Sequence, residues 1–176
     1  MMLARAWLPA VTGFFAFAAG AFGQGRPNYS GTWELTRIER SDGMKIPAGR
    51  TFKETQIWVH QEPKLNIKIM TWEDKLGYRT VDVTYDTNGK AGLVGYLMRP
   101  DGGKEPVNGS ARWNGNRLVH EQETPNNEKG ATRRMISTAA LTDNGQRLLV
   151  QQVYWLVGES EKREAQWFYE KKSGTP

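Results

Sequence analysis

The chain has 176 residues, a net charge of +5 and no cysteine. That length fits one domain with a sizeable core, and the lack of cysteine excludes disulfides, thiolate metal sites and cysteine nucleophiles. The basic excess, with Arg133-Arg134 and Lys171-Lys172 as pairs, is spread along the chain; nucleic-acid binders concentrate it on one surface, so no nucleic-acid partner is expected.

Arg5 is the only charge before Arg26, and an apolar run rich in Ala, Phe and Gly lies between them. A basic start, an apolar stretch and small residues at its end describe a secretory signal. Ala21-Phe22-Gly23 offers a cleavage site and Ala18-Ala19-Gly20 a second. The competing reading is an uncleaved anchor, because the uncharged Ala6–Gly25 is 20 residues long, just enough to cross a bilayer. The Gly, Pro and short apolar core favour cleavage. Residues 1–23 are therefore expected to be a signal peptide, helical before removal, and 24–176 the mature domain. The protein is then exported, to the periplasm or beyond, with no membrane span after cleavage.

Strand-like segments follow. Gly31–Glu39 comes first, then a loop with Asp42-Gly43 and Pro47-Ala48-Gly49. Glu54–Gln61 and Leu65–Glu73 are joined across Glu62-Pro63-Lys64. Leu65, Ile67 and Ile69 alternate with Asn66 and Lys68, the period of a half-buried strand. In Tyr78–Tyr85, Val81, Val83 and Tyr85 share one face. Three Asn-Gly pairs then punctuate the chain. Asn88-Gly89 precedes Ala91–Met98, Asn114-Gly115 separates Ser110–Trp113 from Arg117–Glu123, and Asn144-Gly145 separates Thr132–Leu141 from Gln146–Val157. Asn-Gly readily supplies the positive φ that tight type I′ hairpins need at both central residues, which predicts antiparallel neighbours. Glu164–Lys172 is the last strand. No window shows helical spacing. A meander has two open edges unless it closes on itself, so an all-β barrel of about 8–10 strands is expected, with a two-sheet sandwich as the other arrangement.

Pro27-Asn28-Tyr29-Ser30-Gly31-Thr32-Trp33, Trp113-Asn114-Gly115-Asn116-Arg117-Leu118-Val119 and Leu141-Thr142-Asp143-Asn144-Gly145-Gln146-Arg147-Leu148 carry a resemblance. The chain resembles lipocalin-like, or calycin, barrels, and among them small exported bacterial proteins opening with Ser-Gly-Thr-Trp. The resemblance implies a closed barrel whose first-strand tryptophan, Trp33, plugs one end. In such barrels an arginine from the barrel's end stacks over that tryptophan. Here only Lys171 and Lys172 follow the last strand, with Arg163 before it, and lysine can make the same cation–π contact less well. The Thr-Asp-Tyr motif of lipocalins has no match.

His60 and His120 are the only histidines. They could share a metal with Glu121 or Glu62, or act as general bases, but without a His-x-His pair or a clustered third ligand no metal site, cofactor or catalytic set is assigned. No serine sits in a nucleophile elbow. Six of the seven tryptophans follow the signal, and aromatics in strands serve core packing first. Gln56, Trp58 and His60 alternate against Ile57 and Val59, and Gln152 and Tyr154 lie on the face of Leu148 and Val150. An apolar wall with a few polar groups is what a ligand pocket looks like, and a barrel of this size can hold one small molecule. A small, apolar or aromatic ligand is expected, lined by Trp58, Trp72, Tyr85, Tyr96 and Tyr154. A barrel filled by its own side chains and acting as an interaction module, or a hydrolase or isomerase on the same barrel, are the other readings.

Overall fold

The structure, a computed structural model, describes residues 25–41, 51–74, 77–125 and 131–173. The expected signal segment, 1–23, lies outside them. Ten strands run in chain order: β1 Gly31–Arg40, β2 Phe52–Gln61, β3 Lys64–Glu73, β4 Gly77–Asp86, β5 Gly92–Met98, β6 Lys104–Asn114, β7 Arg117–Pro125, β8 Thr132–Thr142, β9 Arg147–Leu156 and β10 Arg163–Lys171. Each pairs antiparallel with its neighbours in sequence, and β10 pairs back onto β1, closing the barrel. Closure leaves no strand edge exposed, which is why so long a meander is stable. β6 begins well before the expected Ser110. Among the described residues no helix is long and apolar enough to cross a membrane.

The hairpins are where expected, but their turns differ from type I′. At the β6–β7 turn Asn114 pairs with Arg117. Gly115 and Asn116 are therefore the central residues, and only Gly115 has positive φ, at 59°. Glycine first is the II′ arrangement, the other turn whose twist matches a hairpin. Between β8 and β9 a four-residue loop carries three successive left-handed residues, Asp143, Asn144 and Gly145, with φ of 49°, 55° and 82°. Asn88 and Gly89 sit in a longer loop, where Asn88 bridges to Arg112.

Strand alternation separates the two faces. Leu65, Ile67, Val83, Tyr85, Val107, Leu118, Ala139, Leu148, Val150 and Tyr169 point inward and are buried. Around them the barrel has two unlike ends. At the end holding the β2–β3, β4–β5, β6–β7 and β8–β9 turns, the segment before β1 folds across the opening as a plug. Tyr29, fully buried, stacks on Trp58 at 5.6 Å and lies 5.9 Å from Trp113. Its hydroxyl donates to the Ala139 carbonyl at 2.9 Å, and burial pushes its pKa up to about 12.

The opening motif builds this plug. Asn28 Oδ1 accepts the Ser30 amide at 2.9 Å, a local turn typical of Asn. Ser30 Oγ accepts the His60 amide at 2.9 Å. Trp33 Nε1 donates to the Tyr29 carbonyl at 3.1 Å. Lys171 Nζ stands 5.4 Å from the Trp33 ring, so a lysine occupies the place expected of an arginine. Gly31, at φ +154°, permits this, because a Cβ there would come within 2.7 Å of Lys171 Cε.

Candidate binding site in the barrel interior

Inward-facing residues behave differently along the barrel. Near the plug they are sealed: Trp33, Leu65 and Ile67 have no exposure. Further along the same faces Leu35, Ile69, Val81, Leu97 and Trp167 are only partly buried. These are apolar side chains aimed at the axis, so among the described residues the barrel packs most tightly at its plugged end and less tightly toward the other.

A polar layer crosses the barrel between the two halves. On β2 and β10, Trp58 Nε1 donates to Gln56 Oε1 at 2.8 Å. Gln56 Nε2 donates to the Tyr169 hydroxyl at 2.6 Å, and that hydroxyl donates to Glu54 Oε1 at 2.5 Å. Glu54 retains some exposure, yet the protein crowded around it raises its pKa, against the lowering by bonds from Tyr169, Gln56 and Thr71. On the opposite wall Gln122 Nε2 donates to the Tyr85 hydroxyl at 2.6 Å. Each of these groups is satisfied, as buried polar groups should be.

Three others are not. His120 on β7 is paired in register with Ser137 on β8, and both are buried. Neither ring nitrogen of His120 nor the Ser137 hydroxyl has a hydrogen-bond partner, and nor does Trp167 Nε1. The His120 ring is held between aromatics, 5.7 Å from Tyr85 and edge-on to Trp58 at 6.2 Å. Burial without a counter-charge lowers its pKa from 6.5 to about 4. Near neutral pH it is an uncharged imidazole with one donor and one acceptor. Leaving such groups unmet costs about 1–3 kcal/mol each, so the neighbouring His120 and Ser137 mark a place where a guest can complete them.

The other histidine has a different task. His60 Nδ1 accepts the Tyr29 amide at 3.4 Å, which puts the proton on Nε2, facing Glu62 Oε1 at 3.0 Å. Glu62 also accepts from Trp113 Nε1 at 2.7 Å and Thr87 Oγ1 at 2.7 Å. Burial alone would raise the Glu62 pKa, but the bonds from Thr87, His60 and Trp113, with the Arg26 charge, hold it below the ordinary value. This cluster pins the plug. Among the described residues no three His, Asp or Glu side chains gather as metal ligands.

Of the five aromatics singled out in the sequence, the structure brings three to the interior. Trp58 and Tyr85 flank His120. Tyr154, in register with Met135 and Arg163, lies on the inward face away from the plug, where Arg40 Nη2 donates to its hydroxyl at 2.9 Å. Trp72 and Tyr96 point outward. Trp72 packs on the exposed Tyr78 at 6.5 Å, and Tyr96 is 44 % exposed. Ser137, Gln122 and Trp167 were not singled out. The usable signal is phase: Ser137 is two residues from Ala139 on β8, and Gln122 four from Leu118 on β7, so each shares the core face.

Comparison with protein families finds no match, and comparison with curated proteins finds none. Among solved structures, the chain is similar to a redesigned β-barrel, mFAP1, bound to DFHBI, at 11 % identity and a TM-score of 0.43, covering 81 % of this chain and 94 % of that one. It is also similar to EF1p2_mFAP2b bound to DFHBI, at 12 % identity and a TM-score of 0.44, covering 82 % and 94 %.

Proposed function

We propose that this protein is an exported barrel that takes a small, largely apolar or aromatic molecule into its less tightly packed half. The observation that carries the reading is the set of unpartnered polar atoms on His120, Ser137 and Trp167 beneath partly exposed inward side chains. A bound molecule with both donor and acceptor groups would meet the unpartnered atoms of His120 and Ser137 while its body packs against the partly buried inward side chains such as Ile69 and Val81. Binding is favoured over catalysis because the carboxylate partner of His60 sits at the plugged end, while His120 has no carboxylate partner among the described residues. Lys171 over Trp33 supports kinship with lipocalin-like barrels, and the basic-then-apolar N-terminal run supports export.

Native mass spectrometry of protein purified from its own host tests the binding reading. A co-purifying small molecule is the expected result. Clean apoprotein, together with no tryptophan quenching by a panel of lipids and aromatics, would overturn it. The mass of the mature N-terminus tests export, and an intact Met1 would refute cleavage.

A further inference from the structure

The outer wall of the barrel has two unlike sides. Alternation turns Glu34 and Glu39 on β1, Glu121 and Glu123 on β7, and Glu164 and Glu170 on β10 outward, so carboxylates stud one side. The outer face of β3 to β5 is different. Strand pairing sets its side chains in rows. In one row Lys53 is opposite Trp72, and Trp72 opposite Tyr78. In the next, Met70, Thr80, Met98 and Lys104 follow one another from β3 to β6. In the third, Asp82 is opposite Tyr96, and Tyr96 opposite Pro106. Among the described residues five large hydrophobic side chains are exposed. Three stand on this face: Tyr78 at 70 %, Leu93 at 57 % and Tyr96 at 44 %. The Trp72 and Tyr78 rings are 6.5 Å apart, and Lys53 Nζ stands 6.0 Å from the Trp72 ring.

The charges around these rings are one-sided. The acids of this wall are engaged. Asp86 is ion-paired with Lys64 at 2.8 Å, Asp82 Oδ1 accepts from Asn66 at 2.9 Å, and Asp74 in the adjoining turn accepts the Thr51 amide at 2.8 Å. Lys53, Lys68 and Lys104 make no ion pair among the described residues. Lysine stems lie along apolar surface and hold the ammonium clear of it. Tyrosine and tryptophan settle where an apolar phase meets water. Apolar side chains fringed by unpaired lysines are complementary to a surface that is apolar beneath and negative on top. A second copy of the chain fits less well, because a two-fold contact brings the same patch, with the same lysines, to both sides.

We propose that this face docks on a bilayer carrying anionic lipid. Tyr78, Leu93 and Tyr96 enter the headgroup layer, and Lys53, Lys68 and Lys104 meet its phosphates. Docking of this kind is peripheral and reversible. It uses the outside of the wall, so it is independent of the internal binding reading, and either can fail while the other stands.

Vesicle co-sedimentation of protein purified from its own host tests it, with vesicles of phosphatidylcholine alone or with about 30 % phosphatidylglycerol added. The anionic vesicles should bind half the protein at a lipid concentration at least tenfold lower than the neutral ones, and the gap should close at about 0.3 M salt. The Tyr78→Ser/Tyr96→Ser variant should need at least fivefold more lipid. Lys53→Gln/Lys104→Gln should lose most of the preference for the anionic vesicles. Both variants change only exposed side chains, which leaves the fold intact. Val157→Ser, which alters an exposed apolar residue in the β9–β10 turn, should bind as the wild type does. Any contribution of the N-terminal apolar run is common to all these proteins and cancels between them. Lipids brominated high on the acyl chain should quench tryptophan fluorescence, and less so in Trp72→Phe. No binding of the wild type to the anionic vesicles would overturn the proposal. So would undiminished binding in the tyrosine and lysine variants, or an equal loss in Val157→Ser. A dimer that the tyrosine variant abolishes, with no vesicle binding, would assign the face to a second copy and overturn it too.

Discussion

Replacing His120 by leucine removes an imidazole that the fold holds neutral, and the consequence depends on pH in a direction that can be worked out. In the unfolded chain the group titrates near 6.5; in the fold it titrates at about 4. Between these values the unfolded chain binds more protons, so stability falls as pH drops from 6.5 to 4 and is flat above 6.5. A gap of about 2.5 units is worth about 3 kcal/mol. Glu54, with its raised pKa, works the opposite way as pH rises above 4.5, but it is common to wild type and variant and cancels in their difference. Urea unfolding followed by tryptophan fluorescence, at pH 4 to 7.5, measures that difference. The leucine variant should gain about 3 kcal/mol on the wild type as pH falls through the window. At neutral pH it should already be more stable, by about 1 kcal/mol or more, since an unsatisfied polar ring gives way to an apolar side chain. A difference that stays constant across the window would refute the claim that His120 is desolvated and unpartnered.

Two further changes probe the satisfied groups. Trp113→Phe keeps a ring over Tyr29 but removes the donor to Glu62; it should cost about 1–2 kcal/mol and raise the Glu62 pKa, read by thermal unfolding and by NMR titration of the carboxylate. Tyr85→Phe leaves the buried Gln122 amide short of a partner and should cost about 1–3 kcal/mol, whereas Tyr85→Phe/Gln122→Leu should recover most of it. A double variant whose cost equals the sum of the singles would show that the pair does not act as a unit.

The barrel was legible in the chain because period-two alternation and turn residues act locally. Leu65, Ile67 and Ile69, and Val81, Val83 and Tyr85, kept the shared faces their spacing implies. The turn types were less legible. Asn-Gly supplies positive φ cheaply, but which residues become central depends on the register of the flanking strands, which is a tertiary property. That is why Asn114 ended as the last residue of β6 rather than inside its turn. The site was partly legible for a similar reason. Alternation gives two phases and does not say which is inside. Following Leu65, Ile67 and Ile69 forward puts Trp72 outside, a signal that was available. At Tyr96 the phase is reset by a bulge between Leu93 and Gly95, which no local pattern announces. His120 and Ser137 meet only through the β7–β8 register.

That closure has a consequence for how the chain comes together. Nine of the ten strand pairings join consecutive strands, and each can form as soon as its hairpin exists. The tenth, β1 with β10, joins residues such as Trp33 and Lys171 that stand at opposite ends of the domain. Low-separation pairings form fast and the long-range one last. Until it forms, the growing sheet carries two bare edges, each able to recruit another chain. A chain cut short before Arg163 never loses them, so the last nine-residue strand decides whether this sequence gives a closed barrel or an aggregating sheet.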